Sequence, residues 1–387
     1  MLSLGRADRS AVAEWWWTVD RVLLAAIVCL AVFGIVFSMA ASPPVALKLG
    51  LDQFHFVKRQ AFFLAIGLGV MLATSLLDAR HMRRLALIAF IAGMALMLVA
   101  LFQGSEIKGA RRWLEIAGVS LQPSEFVKPA FVVLAAWLFA EGNRRPDIPG
   151  APLAAGLLVA FAALLLLQPD VGQALLVALV WGALFFMAGM AWPWIVALGG
   201  LDIGGLFAAY TLVPHVTARV DRFLDPASGD TYQVDRALES FLRGGWFGRG
   251  PGEGTVKSVL PDSHTDFVFA VTAEEYGILV CLALLALFAF IVLRALSNAL
   301  RENDLFMRFA ISGLITMFGL QAAINMGVNL ALLPAKGMTL PLISAGGSSM
   351  LSMFYALGMV LGLTRRRVAE EAVIDGRLLA GGRGWGP

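Results

Sequence analysis

The chain has 387 residues, of which 59% are hydrophobic and 15% charged, with a formal net charge of +3 and a mean hydropathy of +0.78. A soluble domain carries about 45–50% apolar and about 25% charged residues, so a soluble enzyme or binding module is excluded. The small, unclustered positive balance excludes a nucleic-acid partner as well, because that needs a concentrated basic face.

Windows of about 20 apolar residues, the length that spans a bilayer as a helix, recur ten times: near 20–41, 59–77, 83–102, 123–140, 151–168, 171–190, 193–213, 266–294, 307–329 and 346–364. The first ends in Ser38-Met39-Ala40, a passable cleavage site, but its apolar run, Val22 to Met39, exceeds that usual in a leader, about 7–15 residues, and many spans follow it. It reads as the first transmembrane helix. Trp15-Trp16-Trp17 just before it suits an aromatic belt at the membrane boundary. Only Gln168-Pro169-Asp170 separates the fifth and sixth windows, which predicts a tight helical hairpin. Cys29 and Cys281 both fall in apolar runs and read as small buried hydrophobes, not as a disulfide.

The expected fold class is therefore all-α: a polytopic membrane protein with ten transmembrane helices and one large extracytoplasmic loop, 214–265. A short tail, 1–19, precedes the membrane domain, 20–364, and a Gly-rich polar tail, 365–387, follows it. Lys and Arg in the short connections give the orientation. With the N-terminus inside, sixteen fall on the cytoplasmic side: Arg6, Arg9, Arg21, Arg80, Arg83, Arg84, Arg144, Arg145, Arg294, Arg301, Arg308, Arg365, Arg366, Arg367, Arg377 and Arg383. Seven fall outside: Lys48, Lys58, Arg59, Lys108, Arg111, Arg112 and Lys336. Both termini are expected in the cytoplasm.

The unusual polar content collects on the outer side. Lys108, Arg111 and Arg112 place three cations within five positions, a pattern suited to a phosphate or diphosphate, although a loop reaching for lipid phosphates would look the same. Gln122-Pro123-Ser124-Glu125 reads as a helix start, and Glu125 and Lys128, three apart, share a face and can pair. Asp170 reads as the N-cap of the next span. In the long loop, 219–226 mixes charge and apolar residues as an amphipathic interfacial helix would. Gly244, Gly245, Gly248, Gly250, Gly252 and Gly254 would let backbone approach a ligand closely, or simply keep the loop flexible. Next come Asp262, His264 and Asp266 at the mouth of a span, with Glu274 and Glu275 deeper, near the lipid boundary. Charge at such depth is costly and seldom idle. Capping is the alternative reading for Asp262 and Asp266. Asn325 and Asn329, four apart, face the same way, and interhelical hydrogen bonding accounts for them equally well.

From about residue 20 to 367 the order of these motifs resembles the SEDS family of polytopic cell-wall glycosyltransferases. The resemblance rests on Lys108-Gly109-Ala110-Arg111-Arg112-Trp113, Gln122-Pro123-Ser124-Glu125, Gln168-Pro169-Asp170, Tyr232-Gln233, the Gly-rich run, Leu260-Pro261-Asp262-Ser263-His264-Thr265-Asp266-Phe267, Lys336-Gly337-Met338-Thr339 and Ser344-Ala345-Gly346-Gly347-Ser348-Ser349. The sequences at 260–266 and 336–339 are closer to the division branch of the family than to its elongation branch. Ala345, Pro251 and the stretch 237–241 depart from the family pattern. The resemblance implies a polymerase of peptidoglycan glycan strands that uses lipid II, with Asp266 as general base on the acceptor sugar hydroxyl. It implies substrate-binding roles for Lys108, Arg111, Arg112, Trp113, Glu125, Lys128, Gln233, His264, Thr265, Lys336 and Ser348. It also implies a cognate class B penicillin-binding transpeptidase and other division membrane proteins as partners, and a septal location in the bacterial inner membrane. Diphosphate leaving groups often use a divalent cation such as Mg²⁺ or Mn²⁺, yet no ligand cluster in the sequence announces one, and no cofactor is assigned. The competing functions are a lipid II flippase and a division scaffold. A flippase would place ionisable groups near the bilayer midplane, whereas here they gather at the rim.

Overall fold

The computed structural model describes residues 10–107, 110–116, 118–190, 192–212, 217, 221, 232–334 and 337–365. Among them the helices are α1 (Ala11–Thr18), α2 (Arg21–Lys48), α3 (His55–Ser75), α4 (Ala79–Gln103), α5 (Pro123–Arg144), α6 (Gly150–Leu167), α7 (Val171–Met187), α8 (Trp192–Leu212), α9 (Tyr232–Gly244), α10 (Val268–Leu300), α11 (Leu305–Asn329) and α12 (Gly347–Leu363). Each of the ten expected windows falls on a helix. Seven of these, α2 to α6, α10 and α11, are long and apolar enough to cross a membrane, and α7 and α12 are shorter apolar helices.

Aspartates start several of these helices by accepting orphan backbone N–H groups. Asp20 takes those of Val22 and Leu23 at 3.1 Å each, Asp78 that of His81 at 2.7 Å, and Asp304 that of Met307 at 3.1 Å. Asp170 caps α7 as expected, accepting from Gln173 N at 3.4 Å. The apolar windows of α5 and α11 are 83% and 78% buried, against 22–44% for the other five long apolar helices. With α12, which is buried throughout 352–363, these two form the centre of the bundle, and the other five long apolar helices present an apolar face outward. Close approach at the centre rests on Gly313 of α11, where a Cβ would come within 2.7 Å of Val132 on α5 and 3.0 Å of Leu184 on α7.

The end of the bundle away from the polar loops is tied by charge. Arg294 of α10 donates to both Asp20 oxygens at 2.9 and 3.1 Å, and Asn298 donates to Asp20 at 2.9 Å. The three tryptophans divide: Trp15 is buried and donates to Ser75 Oγ at 2.8 Å, while Arg21 lies over the rings of Trp16 and Trp17. Of the cysteines, Cys281 is buried as expected and Cys29 is exposed on α2.

Three features depart from the expected fold. First, 105–121 is not a plain loop but a three-stranded antiparallel sheet, β1 (Ser105–Ile107), β2 (Ala110–Ile116) and β3 (Val119–Leu121), in the order β1-β2-β3. Second, the described part of the long loop contains α9 and a 3₁₀ turn, Val256–Ser258. The expected interfacial helix at 219–226 lies, apart from Asp221, outside the described residues.

Third, α10 is broken. Gly277 has φ 84° and ψ 174°, a conformation that essentially only glycine adopts. The chain over 244–250 fills the gap in both directions. The carbonyls of Gly245 and Trp246 accept from Ile278 N (2.9 Å) and Leu279 N (3.3 Å). In return, Arg249 N donates to Glu274 O at 2.9 Å and Gly250 N donates to Glu275 O at 3.0 Å. Glycine is required because a Cβ would lie 2.0 Å from Ala273 O at Gly244 and 2.2 Å from Glu275 O at Gly248. These two glycines bring the loop backbone close to the helix.

Candidate active site: a polar cleft at one end of the bundle

A cleft of about 1080 Å³ opens at the end of the bundle that carries the sheet and the long loop. One wall is the turn that leads into α10. Asp262 has φ 51°, and its carbonyl accepts from Thr265 N (3.0 Å) and Asp266 N (3.0 Å). The N-cap of α10 is Phe267, which carries no capping side chain, so neither aspartate occupies that position. Asp262, His264, Thr265 and Asp266 all line the cleft.

The backbone of this wall is clamped from behind. Asn325 and Asn329 each donate an amide N–H to Asp266 O at 2.9 Å, and Asn329 Oδ1 accepts from Ala270 N at 3.0 Å. Asn325 also donates to Met338 O at 2.6 Å. Ala345 N donates to His264 O at 2.9 Å, and Ser344 Oγ donates to Thr265 O while accepting from Leu340 N at 2.8 Å. The two motif loops, 260–267 and 337–349, are thus bonded to each other. His264 packs its ring on Phe56, with centroids 4.6 Å apart.

The opposite wall is β2 and the α6–α7 turn. Successive residues of a strand point to opposite faces, which separates the two arginines. Arg112 points inward, with Nε on Gln168 O at 2.7 Å, Nη2 on Pro169 O and Nη1 3.0 Å from Asp170. Arg111 points away, is exposed, and lies 3.4 Å from Glu106. Burial outweighs the neighbouring Arg112 and pushes the Asp170 carboxyl above the usual aspartate range.

The floor comes from the central helices. Glu125 and Lys128 pair at 2.9 Å, as their spacing predicts, and Lys128 also donates to Gln173 Oε1 (2.9 Å) and Gln321 Oε1 (3.3 Å). Glu125 lines the cleft, but Lys128 is wholly buried beneath it. Lys128 holds Glu125 in place and is not a group that meets a ligand directly.

Of the residues singled out from the sequence, Arg112, Trp113, Glu125, Gln233, His264, Thr265, Asp266 and Ser348 therefore come together around the cleft. Arg111 and Lys128 do not line it, and Lys108 and Lys336 lie outside the described residues. Sequence reasoning missed Arg59, Gln60 and Gln173, which also line it. Arg59 lies 5.8 Å from the Phe63 ring, and its place among the outer cations was the available signal. Gln60 donates to Gly34 O (3.1 Å) and Ile343 O (3.0 Å), contacts no local pattern reveals. Glu274 and Glu275 do not line it. Glu274 accepts from Thr255 N (2.7 Å), Val256 N (2.8 Å) and Lys257 N (3.1 Å), and Glu275 accepts from Gly252 N (3.0 Å) and pairs with Lys257. Among the described residues no three His, Cys, Asp or Glu side chains gather as a metal site.

Carboxylates, arginines and hydroxyls gathered in one cleft above an apolar bundle are the setting of a membrane enzyme. Residues 20–368 match the model of a family described as "Cell cycle protein", the FtsW/RodA/SpoVE family. The chain belongs to this family, the SEDS peptidoglycan glycosyltransferases. It is 49% identical over 366 residues to the probable peptidoglycan glycosyltransferase FtsW of Caulobacter vibrioides, covering 94% of each chain. It is 34% identical over 363 residues to the protein of that name from Escherichia coli O6:H1, covering 91% of this chain and 87% of the other. Among solved structures, it matches one described as "Structural coordination of polymerization and crosslinking by a peptidoglycan synthase complex" at a TM-score of 0.75 and 30% identity, covering 89% of this chain and 97% of that one. It matches the rod shape determining protein RodA of Thermus thermophilus at 0.67 and 29%, covering 90% and 97%.

Proposed function

We propose that this chain polymerises lipid II into glycan strands for the division septum, with Asp266 as general base. The acceptor's 4-hydroxyl gives its proton to Asp266 as its oxygen bonds to the donor's anomeric carbon. The bond from that carbon to the lipid diphosphate breaks, and the diphosphate leaves with the electron pair. The observation that carries the reading is that Asp266 lines the cleft while its backbone is fixed by Asn325 and Asn329, since a positioned base needs a fixed reach.

Arg112 and Arg59 are the cleft-lining cations that suit the leaving diphosphate. Lys108 and Lys336 are proposed to join them. A Mg²⁺ or Mn²⁺ ion would ride chiefly on the substrate's phosphates, as Mg²⁺ commonly does, and the roles above are assigned without it. The relatives named FtsW support the division role, and the solved peptidoglycan synthase complex supports a class B penicillin-binding transpeptidase as partner. Other division membrane proteins are proposed to join them at the septum. In this reading residues 20–364 form one membrane domain, both tails are cytoplasmic, and the cleft faces outward.

The test is purified protein in liposomes with lipid II and neither ATP nor an ion gradient. Glycan strands are expected from the wild type. Transfer of lipid II between leaflets with no polymer would overturn the reading in favour of a flippase.

A further inference from the structure

The described part of the long loop carries an apolar patch that the cleft does not use. Leu242 at the end of α9 is 84% exposed, and Trp246 and Phe247 in the next turn are 61% and 82% exposed. Both arginines of α9, Arg236 and Arg243, are paired along the helix with Glu239.

Two rulers give the height of this patch. The Asp20–Arg294 pair ties the far ends of α2 and α10 at one level, with Arg21 over Trp16 and Trp17 beside it. Charge and tryptophan together mark a membrane boundary. Along α2, Phe37 lies about 24 Å from Arg21 at about 1.5 Å per residue. Along α10, Gly277 lies about 25 Å from Arg294 by the same rise. The rulers meet, because Phe37 packs on Tyr276 with ring centroids 5.5 Å apart. Trp246 is bonded to this level through Leu279 N. An apolar core is about 30 Å thick, so the patch stands just inside the opposite boundary. It also continues the outward apolar face of α10, where Leu279, Leu282, Leu285 and Leu293 are 46–64% exposed.

We propose that Leu242, Trp246 and Phe247 form a foot that inserts into the cleft-side leaflet at the boundary between head groups and acyl chains, its occupant being phospholipid. Tyr232 and Gln233, at the other end of α9, line the cleft. The helix is a strut between bilayer and cleft, and the foot sets the height of the cleft wall above the membrane.

The test uses the full chain with C29A and C281A, carrying one new cysteine: Phe247→Cys, Leu242→Cys or, as control, Glu253→Cys from the same loop. Each is labelled with bimane and reconstituted in phosphatidylethanolamine–phosphatidylglycerol vesicles with iodide on both sides or with nitroxide-labelled lipids. Labels at 247 and 242 should be quenched several-fold more by shallow nitroxide lipids than by iodide, with the reverse order at 253. Iodide quenching at 247 and 242 equal to that at 253 would overturn the proposal. Protection from both quenchers would overturn it too, since protein would then cover the patch.

Discussion

Asp262 and Asp266 line an open cleft, whereas Glu274 and Glu275, further along the same stretch, are buried and bind the protein to itself. The functional groups are alike and the surroundings are not. Three backbone N–H groups converge on Glu274, and a backbone N–H with the Lys257 ammonium on Glu275. At Asp266 the two asparagines hold the backbone carbonyl, and the side chain lines the cleft. A costly charge near a membrane therefore has two uses, one lining a cleft and one buried against backbone donors.

The contrast is broken most directly at Asp266. Asp266→Asn should lower the rate of glycan polymerisation by about 10²–10⁴-fold, and Asp262→Asn should lower it less. An equal loss at both positions would make the turn, not the base, the critical feature. On the buried side, Glu275→Ala strands the Lys257 cation and should cost about 3–5 kcal/mol of stability. Thermal unfolding in detergent measures it, and adding Lys257→Met should recover much of the loss. An unchanged midpoint for Glu275→Ala would mean the pair is not a latch.

Gly248→Ala sharpens the comparison by disturbing the packing of the 244–250 segment on α10 without touching charge. Its φ of 79° and the 2.2 Å approach to Glu275 O predict a cost of about 1–3 kcal/mol, read as a lower midpoint. The smallest effect concerns Asp170. Its carboxyl holds a proton more tightly when folded than when unfolded, so the stability it contributes is present at low pH. That contribution is lost as pH rises above the ordinary aspartate value of about 3.9. Asp170→Asn should flatten this part of the curve of midpoint against pH, and an unaltered slope would remove Asp170 as its source.

The membrane helices were legible because most are apolar runs near bilayer length, and the α6–α7 turn because only Gln168-Pro169-Asp170 interrupts two of them. The sheet was less so: Ala110, Arg112 and Leu114 alternate with Arg111 and Glu115, but the clustered charge masks the period. The Glu125–Lys128 pair followed from spacing, but the burial of Lys128 depends on α5 being central, which its own sequence does not reveal. The glycines at 244–254 announce close approach without naming what approaches. Their target, the break at Gly277, lies on a different element.

That break has a consequence for how the protein is made. Backbone groups left unbonded at bilayer depth cost several kcal/mol each, so α10 cannot rest in lipid with its gap empty. The segment that fills the gap precedes α10 in the chain and emerges first during synthesis. Ribosomal order thus supplies the plug before the helix that needs it, and α10 can enter the membrane and be completed in the same event.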